Sequence, residues 1–246
     1  MRMLQAFKSF LNVGLGFVYP EVCQLCGEAR ATQAESFLCS QCRASVRFIK
    51  PPYCERCGLP FDGAITNEFE CSNCQGHQWQ FSSARSAVIA RDQMLEIIHR
   101  YKYQHALWFE PFLADLLIQR SRPVISLDTR DWIVPVPLHP TKQREREFNQ
   151  AERLARRLSQ ATHVPLNTSF LRRVLPTRTQ TLLSREERVA NVRKAFVARE
   201  APDLAGKRIV LVDDVFTTGA TTGACARVLR SAGAGDVCVW TVARGI

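Results

Sequence analysis

Long hydrophobic runs are missing from this chain of 246 residues. No stretch approaches the roughly 18 consecutive apolar residues that cross a bilayer, so we expect no membrane span. The opening MRMLQAFKSFLNVGLGFVYP has a basic start and a short apolar stretch, but it lacks an A-x-A-like cleavage site. We interpret it as a packing helix, with a membrane-surface segment or a secretory signal as alternatives, and we expect a cytoplasmic protein.

Two nucleotide-binding signatures are also missing, because the chain has neither G-x-x-x-x-G-K-[ST] nor G-x-G-x-x-G. Aspartate is absent from residues 141–194, which contain 13 Lys and Arg against 5 Glu and therefore carry +8 of the net charge of +10. This local excess favours a polyanionic partner such as nucleic acid or a phosphorylated metabolite, although a basic surface also promotes solubility. A hydrophobic content of 46% excludes a disordered or fibrous chain.

Eight of the ten cysteines fall between positions 23 and 74 as four C-x-x-C pairs. They form two similar groups, CQLCGEARATQAESFLCSQC and CERCGLPFDGAITNEFECSNC, that begin 31 residues apart. Twelve and thirteen residues separate the pairs within the groups, which is enough chain for a hairpin that brings both pairs to one metal ion. The predicted ligands are Cys23, Cys26, Cys39 and Cys42 in the first group and Cys54, Cys57, Cys71 and Cys74 in the second.

Groups of four cysteines with this spacing predict structural zinc. Four thiolates close a tetrahedron and leave no position for water, so such a site holds structure and performs no hydrolysis. Gly27 and Gly58 each follow the second cysteine of a pair and permit the tight turn there. An iron–sulfur cluster or disulfides are the alternatives that sulfur ligands leave open. His77 is interpreted as a surface residue rather than a replacement ligand, and Cys225 and Cys238 as small core residues.

The cysteine pattern ends near residue 80, which predicts a domain boundary there. We expect an N-terminal helix and double zinc ribbon over residues 1–80 and an α/β domain over residues 81–246. Strands alternating with helices predict a parallel sheet. Helices are predicted over Asp92–Tyr103, Leu107–Ile118, Asn149–Gln160 and Thr221–Ser231, and strands over DWIVPVP, RIVLV and VCVWTVA.

The stretch RIVLVDDVFTTGATTG carries the strongest functional signal. Asp213 and Asp214 follow an apolar strand. Neighbouring carboxylates repel each other, and a bound ligand can compensate for that repulsion. Ligands of parallel sheets bind beyond the carboxyl ends of the strands, where the next helix presents unpaired N–H groups. The turn Thr217–Thr221 supplies amides, hydroxyls and a glycine for a phosphate, while two carboxylates suit a sugar diol. A ribose 5-phosphate satisfies both requirements.

This stretch resembles the phosphoribosyl pyrophosphate (PRPP) loop of type I phosphoribosyltransferases. VPVPLHPTKQREREFNQAERLA resembles their pyrophosphate loop, and LRRVLPTRTQTLLSREERVANVRKAF resembles the mobile loop that closes over the site. Together with the two cysteine groups, these motifs resemble the ComF family of competence-associated and DNA-utilisation proteins over nearly the whole chain. Glu147 departs from the pattern, because the family commonly has glycine before FNQ.

The resemblance implies a set of site residues. Asp213 and Asp214 would be the catalytic pair and face the ribose hydroxyls. Mg²⁺ would accompany PRPP, held mainly by the ligand's own oxygens. The other expected PRPP-binding residues are Val215, Thr217, Thr218, Gly219, Ala220, Thr221, Lys142, Arg144 and Arg146, and the lid candidates are Arg178, Gln180, Arg185 and Arg188.

Three functions remain open at this point. The resemblance implies PRPP binding and a role in DNA uptake, competence or use of external DNA, with single-stranded DNA and recombination or uptake proteins as partners. The main alternative is an active phosphoribosyltransferase, whose basic groups and lid would stabilise the departing pyrophosphate and exclude water. No base-binding pattern identifies an acceptor for it. A scaffold with a vestigial phosphate site is the third possibility.

We predict two tightly held zinc ions per chain, because each cysteine group can close its own tetrahedron. Elemental analysis of the purified protein should give two zinc ions per chain and no iron. A single metal ion per chain, or iron in place of zinc, would exclude the double-ribbon interpretation.

Overall fold

The computed structural model describes residues 21–61, 63, 71–175, 194–199 and 204–246. The chain forms two compact units, Met1–Val46 and Arg47–Ile246. The second cysteine group therefore belongs to the same compact unit as the sheet. The domain boundary near residue 80 stays a prediction, and both the opening helix and the lid candidates lie outside the described residues.

In the first unit, the described residues 21–46 contain the first cysteine group. An antiparallel bridge joins Val22 to Arg30, and a 3-10 turn spans Gln33–Glu35. Helix α1, Ser40–Ala44, begins after Cys39, whose sulfur accepts a hydrogen bond from the N–H of Cys42 at 3.5 Å. The helix start therefore orients the second cysteine pair.

The centre of the second unit is a parallel four-stranded sheet of order β1–β6–β5–β2, with a separate antiparallel pair, β3–β4. The central run Ile209–Val212 is completely buried, as expected for a parallel strand that is covered on both faces. The predicted parallel sheet is confirmed. The strands are β1 Ser83–Ile89, β2 Trp132–Pro135, β3 Leu171–Arg173, β4 Phe196–Ala198, β5 Arg208–Phe216 and β6 Asp236–Arg244.

Three helices of the second unit, α2, α5 and α6, agree with the predicted bounds to within two residues, whereas α3 ends three residues after the predicted Ile118 and starts three residues after the predicted Leu107. There, Leu107–Phe109 form a 3-10 turn and the α-helix begins at Glu110, with Pro111 in its first turn, where a proline is tolerated. None of the described helices is both long and apolar enough to cross a membrane. The helices are α2 Asp92–Tyr103, α3 Glu110–Ser121, α4 Pro140–Arg146, α5 Gln150–Thr162 and α6 Ala220–Ser231.

Three features of the fold differ from the sequence-based expectation. Strand β1 has the sequence SARSAVI, whose serines and arginine interrupt the apolar run that would have predicted it. Helix α4 lies within the predicted pyrophosphate loop. Strand β5 continues past the predicted RIVLV to Phe216, because its residues stay paired with β6 through Asp213 opposite Thr241.

The second cysteine group and the segment before it cover the edge strand β1. Phe48 forms an antiparallel bridge with Val88, and the N–H of Ala84 donates to the carbonyl of Arg56 at 2.8 Å. Gly58, with φ of +66°, lies so close to β1 that a Cβ there would be 2.6 Å from the Ala84 carbonyl oxygen. These contacts pair backbone groups that an open sheet edge would expose.

One hydrophobic core joins the second cysteine group to the sheet. Trp79 and Phe81 belong to the same buried cluster as those four cysteines, as Leu211 of β5 and as Cys225 of α6. Cys225 and Cys238 are 0% and 2% exposed, which confirms them as core residues.

We expect Gly58→Ala to lower the free energy of unfolding of the second unit more than Gly76→Ala. Both glycines have positive φ, +66° and +72°, so both substitutions carry a backbone cost of roughly 1 kcal/mol. Only Gly58 faces a fixed backbone atom, and that overlap adds about 2 kcal/mol. Denaturant unfolding of the two variants measures the difference. Equal losses would show that β1 and the cysteine group separate without cost.

Candidate functional site

A cleft of about 400 Å³ opens where β5 ends and α6 begins. One wall is the continuous run from Asp213 to Thr222, and the opposite wall comes from α2. The predicted acid pair and the whole predicted PRPP turn therefore line a single cleft. The α2 residues in the wall are Leu95, Ile98, His99, Lys102 and Tyr103.

The turn between β5 and α6 depends on Gly219. It is the N-cap of α6 with φ of +82°, and a Cβ there would lie 2.7 Å from Phe216 Cζ and 3.0 Å from Trp79 Cη2. The Thr218 hydroxyl accepts from the N–H of Ala220 at 3.4 Å, which shapes the helix entry. Unpaired N–H groups in the first turn of a helix favour an anion, so this end of the cleft suits a phosphate.

The acid pair has an asymmetric environment. Asp214 is 9% exposed, and its Oδ1 lies 2.8 Å from Lys102 Nζ. Asp213 is partly exposed and accepts a hydrogen bond from the N–H of Asp214 at 2.9 Å. Burial, followed by the negative charge of Asp214, raises the pKa of Asp213 to about 7, against the opposing charges of Lys102 and Arg173. Near neutral pH, Asp213 is therefore only partly ionised.

Lys102 is the functional candidate that sequence reasoning missed. It lies in HRYKY near the end of α2, in an amphipathic helix whose pattern predicts only packing. Its side chain is 19% exposed and reaches the acid pair across the cleft. The only local signal is a lysine between two tyrosines, which does not distinguish a site residue from a surface residue.

The basic residues of the predicted pyrophosphate loop are not among the residues that line the cleft. Lys142, Arg144 and Arg146 lie on α4. The Arg146 guanidinium stacks 4.6 Å from the ring centroid of Tyr103, and that ring forms part of the cleft wall. A direct role for these three residues stays a prediction. The lid candidates lie between strands β3 and β4 in the chain. These two strands pair with each other, and Arg173 lies opposite Phe196.

The backbone conformation at Glu147 gives a physical reason for the glycine that the family pattern commonly has at this position. It is the C-cap of α4 and has φ of +63°, in the left-handed region where a side chain is strained. Its carboxylate Oε2 lies 3.3 Å from His105 Nδ1. Glu147 is not among the residues that line the cleft.

The two cysteine groups have the geometry that zinc requires. A tetrahedron with Zn–S bonds of about 2.3 Å needs sulfurs about 3.8 Å apart, and the four sulfurs of each group lie within 4.8 Å of one another. None of the ten cysteines, all of which lie among the described residues, forms a disulfide, and His77 stacks on Trp79 outside the group. The closest sulfur pairs are Cys23–Cys42 at 3.7 Å, Cys26–Cys39 at 4.0 Å, Cys54–Cys74 at 3.8 Å and Cys57–Cys71 at 3.3 Å.

A parallel α/β sheet with an acid pair and a phosphate-type turn at one strand end, together with two four-cysteine zinc sites, defines a phosphoribosyltransferase-type domain with a double zinc ribbon. A family model described as a double zinc ribbon domain matches residues 14–75. This match and the paired four-cysteine sites confirm the predicted double zinc ribbon, and the parallel four-stranded sheet confirms the predicted α/β class.

Two known proteins are similar to most of this chain, and one solved structure matches about half of it. The chain is 32% identical over 219 residues to competence protein F of Haemophilus influenzae, covering 86% of this chain and 92% of that protein. It is 32% identical over 232 residues to the DNA utilization protein YhgH of Escherichia coli, covering 92% and 97%. A solved glutamine PRPP amidotransferase from B. subtilis matches at 26% identity and a TM-score of 0.35, covering 53% of this chain and 25% of that one. The two full-length relatives show that the chain belongs to the ComF family of competence and DNA utilization proteins.

We expect Asp213→Asn to flatten the fall in stability between pH 4 and pH 8. The pKa of this carboxyl rises from 3.8 to about 7 on folding, so the folded state holds an extra proton in that window. Wild-type stability is then lost as the pH rises through about 7. At pH 8 the variant should be more stable by about 2 kcal/mol, since each pKa unit corresponds to about 1.4 kcal/mol and partial exposure weakens the effect. Denaturant unfolding at pH 4, 6 and 8 tests this, and parallel profiles for the two proteins would contradict it.

Proposed function

We propose that this protein binds PRPP with Mg²⁺ in the cleft between β5, α6 and α2, and that it acts in the cytoplasm in DNA uptake, competence or the use of external DNA. The observation that carries the proposal is that Asp213, Asp214 and the turn Thr217–Thr221 line the same cleft. The names of the full-length relatives, competence protein F and DNA utilization protein, support the cellular role.

The acid pair matches the hydrogen-bonding needs of a ribose. Carboxylate oxygens accept from the two sugar hydroxyls, and partial protonation of Asp213 reduces the repulsion between the acids before a ligand arrives. Lys102 contacts Asp214 and lines the same cleft, so its ammonium would add positive charge beside a bound diphosphate. Mg²⁺ would be held mainly by ligand oxygens, since hard cations prefer oxygen donors and keep several of their waters.

We expect the double variant Asp213→Ala, Asp214→Ala to lose PRPP binding while its fold persists. Hydrogen bonds to charged groups contribute about 1.5–3 kcal/mol each, so the loss of two should weaken binding at least about 100-fold. Calorimetry with PRPP and Mg²⁺ measures it. The matched control is Asp115→Ala, an exposed carboxylate on α3, which should bind like the wild type. Unaltered affinity in the double variant would mean that the motif has another role.

Turnover as a phosphoribosyltransferase is the second candidate, and the α2 wall of the cleft favours it. Leu95 and Tyr103 are 52% and 53% exposed and line the cleft beside the acid pair. An apolar and aromatic wall of this kind could receive a planar acceptor by stacking. Pyrophosphate release from PRPP with a panel of bases and amines tests this candidate. Release with one acceptor, abolished by the double aspartate variant, would establish an enzyme.

The basic segment, residues 141–194, supports single-stranded DNA as a macromolecular partner. The arginines of this segment are not equivalent. Arg153 and Arg157 both donate to Glu110, which is 4% exposed. Arg173 is 8% exposed, with its guanidinium 5.3 Å from the Phe196 ring centroid. Arg173 is buried, and Arg153 and Arg157, though partly exposed, are paired with Glu110, so we expect DNA contacts mainly from the other exposed arginines of the segment.

We expect Arg156→Ala, Arg172→Ala to weaken the salt dependence of oligonucleotide binding. Both side chains are exposed, and each phosphate contact contributes about −0.7 to the log–log slope for a single strand, so the slope should flatten by about 1.4. A salt titration with a fluorescent oligonucleotide measures it, with Arg122→Ala, exposed outside the segment, as the control. Identical slopes, or no binding at low salt, would assign the basic segment to PRPP alone.

A further inference from the structure

Arg244, at the end of β6, connects the second cysteine group to the turn of the candidate site. It is 1% exposed. Its Nη1 donates to the carbonyls of Phe216, at 3.2 Å, and of Thr217, and its Nη2 lies 3.9 Å from Cys57 Sγ. The guanidinium carbon lies 4.7 Å from the Phe216 ring centroid. One side chain therefore holds both the backbone that starts the turn and a ligand of the second metal centre.

The charge on Arg244 has no carboxylate partner among the described residues. Its recorded hydrogen-bond acceptors are carbonyl oxygens, including that of Gly245 at 2.7 Å, and the Cys57 sulfur. Burying a guanidinium without a counter-charge is costly. Four thiolates around one Zn²⁺ carry a net charge of −2, so a loaded second centre supplies the missing negative charge.

Aromatic packing also connects the second cysteine group to the turn. Trp79, which follows the second cysteine group, packs against Gly219 and Gly223, where an added Cβ would lie 3.0 and 2.9 Å from its ring atoms. Trp79 also stacks on Phe81 at 5.2 Å, and Phe81 meets the Phe216 ring edge-on at 6.0 Å. The floor of the turn is therefore made by residues that follow the second cysteine group and share its buried cluster.

We propose that zinc in the second cysteine group holds the PRPP turn in its binding conformation through Arg244, whereas zinc in the first group does not. Arg244 is then a positioning residue. The affinity part of this inference rests on the proposed PRPP binding. The conformational part does not, because it concerns the turn itself.

The test compares Cys57→Ser with Cys26→Ser in the full-length protein. Cys26 holds the equivalent position in the first group, so each variant should lose one of the two zinc ions. We expect faster amide hydrogen exchange across residues 216–222 and about tenfold weaker PRPP binding in Cys57→Ser, within the 5- to 150-fold range of typical coupling between sites. Cys26→Ser should match the wild type in both measurements.

Arg244→Met separates this inference from general unfolding, because all eight cysteine ligands remain. We expect it to keep two zinc ions and still show the faster exchange and about tenfold weaker binding. Coupling between equilibrium affinities is reciprocal, so saturating PRPP should raise the zinc affinity of the second group only, as measured by equilibrium competition with a chelator, and Arg244→Met should abolish that increase.

Two results would overturn the inference. One is wild-type exchange and affinity in Arg244→Met; the other is an equal effect of Cys26→Ser and Cys57→Ser. If the wild-type protein shows no PRPP binding by calorimetry, the proposed function fails, and the exchange measurements still decide whether the second zinc organises the turn.

Discussion

Parallel pairing of β5 with β6 sets the positions of most groups around the cleft. The register places Asp213 opposite Thr241 and Phe216 opposite Arg244, so the turn that follows β5 begins beside the residue that ends β6. Arg244 can then reach the carbonyls of Phe216 and Thr217. A shift of one residue would turn each of these side chains to the other face of the sheet, away from its partners.

The second cysteine group and the sheet depend on each other. Edge strand β1 needs partners for its backbone groups, and the Arg56 carbonyl and the bridge from Phe48 supply them. A ribbon of this size has little core of its own and depends on its metal to fold, yet here its cysteines, Trp79 and Phe81 join the core of the sheet. This shared core explains why the compact unit begins at Arg47.

The acid pair reduces the stability of the fold at the cleft where we propose that PRPP binds. Asp213 and Asp214 adjoin each other at a partly buried strand end, and the raised pKa of Asp213 records the cost of charging both. Lys102 offsets part of that cost at Asp214. Sites that bind ligands commonly retain such locally unfavourable groups, because the ligand supplies the compensating interactions. Glu147 adds backbone strain at α4 that glycine would avoid.

Features whose physical cause is local could be predicted from the amino-acid sequence alone. Cysteine spacing predicted both metal groups, helical periodicity predicted α2, α5 and α6, and the run from Asp213 to Thr221 predicted the turn, because each pattern acts over a few residues. Local patterns missed β1, whose polar residues hide a strand that is defined by its neighbours. Three long-range contacts became visible in the tertiary structure alone. Lys102 reaches Asp214, and Arg244 joins Cys57 to the turn. Arg157 donates to the buried Glu110, and Arg173 is itself buried. These partners lie far apart in the chain, and strand order and register, which no local pattern encodes, bring them together.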